Sequence, residues 1–176
     1  MLSKPEICKL TLGTAQFGLD YGITNSHGKL DQFQVESILS KAQAFGISKI
    51  DTAPGYGDAE EKLGLFGVKD FGIYSKIPRI AGNANAGTIL DAIKSSIRKL
   101  DVGKLDGLLL HYPWDLLSNN SEIIVSAINE AYSLGLYKKL GISVYDPDEV
   151  KKFLEIINFD FIQAPVNIMD RRFCDL

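Results

Sequence analysis

Residues 106–111 read Asp106-Gly107-Leu108-Leu109-Leu110-His111. An apolar run of this length, closed at both ends by a polar residue, has the signature of a strand buried on both faces, which is the mark of a parallel sheet. The segments on either side agree. Upstream, Ile89, Ala92, Ile93, Ile97 and Leu100 recur at helical spacing. Downstream, the spacing predicts a helix from Ser121 to Leu134, stopped by Gly135.

The same alternation runs along the whole chain. Strands are predicted at Lys9–Gly13, Lys49–Asp51, Gly72–Lys76, Asp106–His111, Lys139–Val144 and Phe161–Val166. Between them lie a helix capped by Asp31 and closed by Gly46, a short helix from Asp58 to about Leu65, and a helix opening at Asp146-Pro147. This makes six β/α repeats of roughly 30 residues, the size of one βα unit. The repeats share architecture but not sequence. Parallel sheets of this kind are doubly wound or closed into a barrel. Gly13-Thr14-Ala15-Gln16-Phe17-Gly18 has P-loop glycine spacing, but Leu19 stands where lysine is needed. Gly55-Tyr56-Gly57 lacks the third glycine of a dinucleotide fingerprint and follows the second strand. The barrel is therefore the better reading: a single α/β domain over 1–176, of the (β/α)8 TIM-barrel type, incomplete at six of eight units.

Composition bounds the function. The chain has 176 residues, 19 basic against 22 acidic, and a formal net charge of −3. The slight acidity argues against non-specific nucleic-acid binding, which needs a basic field. No apolar run approaches a membrane span, and Met1–Glu6 lacks the apolar stretch of a signal peptide. Two cysteines, Cys8 and Cys174, form no CxxC pair or disulfide framework. The cytoplasm is the expected compartment. Two histidines, His27 and His111, are too few for a multi-histidine metal site. Asn119-Asn120-Ser121 fits a glycosylation sequon and reads as surface loop.

In a parallel barrel the active site lies at the C-terminal ends of the strands. Those ends carry Asp51, Lys76 and His111, with Tyr56 in the loop beyond Asp51. Each alone has a plainer reading: a loop cap for Asp51, a packed aromatic for Tyr56, a core histidine for His111. Together they would form a general acid for a carbonyl oxygen. A tyrosine hydroxyl titrates too high for easy proton donation, and a nearby ammonium is expected to lower it. The aspartate would hold the lysine charged, and the histidine would hydrogen-bond the substrate oxygen. In the long first loop, Phe17, Asp20, Tyr21 and Asn25 either line a polar pocket or simply close the rim. A different barrel chemistry, with Asp51, Glu60 and Glu61 as an acid/base set, is disfavoured because Glu60 and Glu61 fall on the second helix.

These residues resemble the motifs of the aldo-keto reductases. Asp51-Thr52-Ala53-Pro54-Gly55-Tyr56-Gly57, with Glu60 and Leu63-Gly64 behind it, is similar to that family's leading signature. Ser75-Lys76, Leu109-Leu110-His111-Tyr112-Pro113, Gly141-Ile142-Ser143, Gln163 with Asn167, and the opening Leu12–Gly18 resemble its further motifs, in order. The resemblance implies a (β/α)8 barrel that reduces an aldehyde or ketone with NADPH. Tyr56 would be the proton donor, tuned by Lys76 and Asp51, with His111 orienting the carbonyl. Gly13 and Thr14 would lie against the cofactor near Asp51, and Ser143 and Gln163 would bind the nicotinamide amide with Asn167 close by.

Two departures stand out. Val144 occupies a position where the family often has asparagine. Six units also fall short of eight, so the C-terminal units that would carry much of the cofactor's phosphate and adenine site are expected to be missing. A non-catalytic or decayed protein of the same fold, binding or regulatory, is the alternative. Open sheet edges would favour marginal stability and self-association.

Overall fold

The computed structural model describes residues 9–80 and 85–174. Cys8 and Met1–Glu6 lie outside them. Six strands, β1 (Leu12–Gly13), β2 (Lys49–Asp51), β3 (Gly72–Ile77), β4 (Leu105–Leu110), β5 (Tyr137–Ser143) and β6 (Phe161–Gln163), form one sheet in sequence order. Every neighbouring pair is parallel. The connecting helices are α1 (Gln32–Ala44), α2 (Ala59–Phe66), α3 (Ala86–Lys99), α4 (Ser121–Ser133) and α5 (Pro147–Leu154). A single helical turn, Ala15–Gly18, follows β1, and a 3-10 turn, Pro113–Leu117, follows β4.

Local chemistry sets the helix ends. Asp31 and Gln34 form a reciprocal capping box at the start of α1, as do Asn85 and Thr88 at α3 and Asp146 and Glu149 at α5. Gly46, Gly67 and Gly135 take positive φ just beyond α1, α2 and α4, where a side chain would be strained. The terminal strands are shorter than the sequence predicts. β6 stops at Gln163 because Pro165, two residues on, has no N–H for a ladder. β1 is reduced to the two residues that pair with Ile50 and Asp51.

The two faces of the sheet have different roles. Ile50, Ile73, Ile77, Leu108, Leu110, Leu140 and Ile142 point toward the helices and join the buried apolar core with Leu39, Leu63, Ile93 and Ile128. The opposite face carries Lys49, Asp51, Tyr74, Leu109, Lys139, Phe161 and Gln163, which line a concave interior. Tyr74 and Phe161 meet edge to face across this interior, with centroids 5.6 Å apart. They lie over Gly107 and Gly141, where any Cβ would run into those rings.

The sheet is curled rather than flat. Gln163 on β6 donates to Asp51 on β2 at 3.0 Å. Four strand spacings of about 4.8 Å would hold these strands about 19 Å apart in a plane, too far for two side chains to meet. The architecture is that of an α/β half-barrel, as the alternation of strands and helices indicates. Among the described residues, no helix is long and apolar enough to cross a membrane.

Candidate active site

β2, β3 and β4 bring Asp51, Lys76 and His111 to one rim. Lys76 is almost fully buried, and each of its donors is engaged: Asp51 Oδ1 at 2.7 Å, Asp51 Oδ2 at 2.8 Å and the Thr52 carbonyl at 2.9 Å. Its ammonium lies 4.8 Å from the centre of the Tyr56 ring. His111, the residue after β4, meets the Tyr56 ring edge-on, with centroids 6.2 Å apart. Tyr56 and His111 both line a cavity of about 590 Å³, shared with Gly13, Gln16, Tyr21, Tyr112 and Tyr145. The four residues read from the sequence as one constellation therefore stand together.

Tyr56 is held by backbone packing. The Tyr56 carbonyl and Gly57 press so closely on Gly18 that a Cβ on Gly18 or Gly57 would overlap main-chain atoms of the other segment. Gly57 itself has φ +61°. The first loop thus fixes the tyrosine from behind. Lys62 on α2 fastens that loop: its buried ammonium donates to the Phe17 carbonyl at 2.8 Å and the Leu30 carbonyl at 2.6 Å. Phe17 belongs to the core, and Asn25 bonds within the loop to Tyr21, His27 and Gly28. Asp20 accepts from the Lys29 amide. Of the first-loop residues considered from sequence, Tyr21 is the one that lines the cavity.

The electrostatics correct one expectation. The Tyr56 hydroxyl is not lowered but pushed up to about 12, by burial first and then by the negative charge of Asp51. The Lys76 charge is committed to Asp51, with which it forms a buried ion pair. Lys76 is itself shifted down, because burial disfavours its charge more than Asp51 restores it. His111 is shifted down by burial and then by the Lys76 charge, with Asp51 opposing. The site at neutral pH thus presents a protonated phenol and a neutral imidazole to the cavity.

The residues expected around a cofactor fall into two groups. Gly13 lines the cavity, with open space where a Cβ would project. Ser143 and Gln163 are paired in register on β5 and β6, so a hydroxyl and a carboxamide stand side by side. That donor and acceptor set fits a primary amide such as that of nicotinamide. Thr14 lines the same cavity. It is fully buried, and its hydroxyl donates to the Asp51 carbonyl at 2.9 Å, so it braces the Asp51 backbone. Asn167 Oδ1 accepts from the Met169 and Asp170 amides and closes a local turn. Val144 is buried in the apolar core, which accounts for a hydrophobic residue there. Glu60 lies behind the sheet, where its carboxylate accepts from Ser75 at 2.7 Å, and Glu61 pairs with Lys99. Neither belongs to the rim.

Comparisons with known proteins give the family. The model of the aldo/keto reductase family matches residues 9–174. The aldo-keto reductase YhdN of Bacillus subtilis strain 168 is 25% identical over 181 residues, covering 94% of this chain and 52% of that protein. The NADH-specific methylglyoxal reductase of Escherichia coli K12 is 27% identical over 191 residues, covering 94% of this chain and 57% of that protein. The crystal structure of a Pseudomonas aeruginosa protein provisionally named an aldo-keto reductase superposes with a TM-score of 0.77 at 24% identity, covering 94% of this chain and 66% of that one. The chain spans little more than half the length of these two curated relatives.

Proposed function

The chain belongs to the aldo/keto reductase family, and from that premise we propose that it serves the reduction of a small aldehyde or ketone to an alcohol, with Tyr56 as proton donor and NADPH as reductant. The observation that carries this reading is the convergence of the Asp51–Lys76 ion pair, the Tyr56 ring and His111 on one cavity. When bound, a reduced nicotinamide supplies a hydride to the carbonyl carbon. Gly13, Ser143 and Gln163 would hold that cofactor at the rim.

The remaining work falls to side chains of this chain. The carbonyl oxygen is received between Tyr56 and a neutral His111, whose N–H can donate to it. As negative charge builds on that oxygen it becomes a far stronger base than a phenolate. A phenol held near 12 therefore keeps its proton until the oxygen needs it and then gives it up downhill. The ammonium over the ring favours the phenolate left behind. Solvent returns the proton through the open side of the cavity.

The test is cofactor consumption by the purified chain with methylglyoxal, run in parallel with NADPH and NADH. The Escherichia coli relative is NADH-specific by name, so both cofactors are needed. Carbonyl-dependent oxidation of NADPH supports the proposal. Oxidation of NADH alone corrects the cofactor, and oxidation of neither overturns the activity.

A further inference from the structure

Two of the loops that line the cavity follow the paired strands β4 and β5, beyond the last rung of their ladder at Leu110 and Ile142. Tyr112 enters from the loop after β4, and Tyr145 from the loop after β5. One carboxylate joins them. Glu149 Oε2 accepts from the Tyr145 amide at 2.8 Å and the Asp146 amide at 3.3 Å, while Oε1 accepts from the Trp114 indole N–H at 3.1 Å. Trp114 stands two residues beyond Tyr112, in the 3-10 turn. It packs edge-on to Phe153 on the same helix as Glu149, with centroids 5.7 Å apart, and the Lys152 ammonium lies 5.5 Å from its ring centre. The other side of the turn is tied down as well, because Asp115 accepts from the Ile80 amide at 2.9 Å.

We infer that Glu149 is a positioning residue that sets the size limit of the carbonyl pocket, by clamping the Tyr112 loop to the Tyr145 loop. A capping box needs a single acceptor at this helix position, and one oxygen serves that purpose. The second oxygen reaches a different loop, 35 residues away in sequence. With the clamp closed, the Tyr112 and Tyr145 loops keep a fixed separation and the cavity they help to line admits small carbonyls. With it open, Trp114 keeps its packing on Phe153 but the hydrogen bond that joins the two loops is lost. Tyr112 and Tyr145 are both exposed apart from this arrangement.

The inference rests on the carbonyl-reductase reading, and two readouts keep the two apart. In Glu149→Gln the single acceptor oxygen stays with the Tyr145 and Asp146 amides, two donors against one, and the amide nitrogen turned to Trp114 cannot accept from its indole. Trp114→Phe removes the indole donor and leaves the cap intact. Trp114 is the single tryptophan of the chain, so its fluorescence reports the clamp directly. In Glu149→Gln, Trp114 emission should shift to longer wavelength and its anisotropy should fall. In both variants the ratio of kcat/KM for a bulky aromatic aldehyde over methylglyoxal should rise about tenfold, the scale at which pocket shape discriminates. The change should lie in KM more than in kcat. Unchanged Trp114 emission in Glu149→Gln overturns the clamp. An unchanged ratio in Trp114→Phe overturns its role in specificity. A wild-type chain that reduces neither aldehyde overturns the functional reading and the specificity role together, while the emission result still decides the clamp.

Discussion

Gln163 on β6 and Lys76 on β3 share one acceptor. Both donate to Asp51 Oδ1, at 3.0 and 2.7 Å. The aspartate thus ties the second strand to the third and sixth, across the mouth of the curled sheet. Two donors from two other strands fix the position from which its charge acts on the phenol and the imidazole. The shape of the rim and the electrostatics of the site depend on the same few hydrogen bonds.

Removing the lysine should therefore unsettle the fold as well as the chemistry. Lys76→Met leaves a largely buried Asp51 carboxylate without its cation. Breaking one side of such a pair costs about 3 kcal/mol or more. Urea unfolding should show a midpoint lowered accordingly, with an unchanged slope. A variant as stable as wild type would mean that the pair contributes little.

The same variant tests the reading of His111. Burial and the Lys76 charge hold its pKa below 6.5, while Asp51 pulls the other way. Imidazole NMR should place the wild-type midpoint below 6.5. In Lys76→Met the midpoint should move up, since a repelling charge is lost and the Asp51 charge is unmasked. A wild-type midpoint at or above 6.5 would contradict a neutral imidazole at the rim.

Alkaline stability follows from two tyrosines. Tyr56 and Tyr137 are both pushed up to about 12, chiefly by burial, and the Tyr137 hydroxyl donates to the Ile128 carbonyl at 3.2 Å. The folded state holds these protons more tightly than the unfolded chain, whose tyrosines titrate near 10. The resulting stability is complete below pH 10 and is lost as pH rises toward 12. The phenolate absorbance of these two, the fraction that Tyr56→Phe and Tyr137→Phe remove from the total of seven tyrosines, should thus appear together with unfolding. In Tyr137→Phe the fall in stability over that interval should be shallower. Early, non-cooperative titration of both tyrosines would contradict this.

Gly18 offers a test of how Tyr56 is held. A Cβ there collides with the Tyr56 carbonyl, which is main chain and cannot swing aside. Gly18→Ala should cost about 1–3 kcal/mol, the range for overpacking, and should lower the Tyr56 titration toward 10 as the ring is displaced outward. A variant with wild-type stability and an unmoved Tyr56 would show that the contact is not needed.

Much of the site was legible in the sequence because parallel strands place their last residues on one rim. Asp51, Lys76 and His111 could be found by locating strand ends alone, and Tyr56 by its distance from Asp51. The helix caps were legible as well, being local in sequence. The sign of the Tyr56 shift was not, because it depends first on how deeply the hydroxyl is buried and then on the Asp51 charge beside it. The partners of the Thr14 and Asn167 side chains were not legible either, since both bond to backbone atoms. The reach of Lys62 to the first loop and of Glu149 to Trp114 had no local signal. Each acts on a loop at least 30 residues away, and such pairs become visible only when the chain is folded.

The most direct test is Tyr56→Phe against wild type, with NADPH and methylglyoxal, alongside a thermal melt of both. The ring, its contact with Lys76 and the packing on Gly18 are retained, and the hydroxyl that carries the proton is removed. Wild type should turn over, and the variant should melt with wild type while losing at least about 100-fold in kcat, the usual contribution of a general acid. A folded Tyr56→Phe chain that reduces the carbonyl at the wild-type rate would contradict the assignment of Tyr56 as the proton donor.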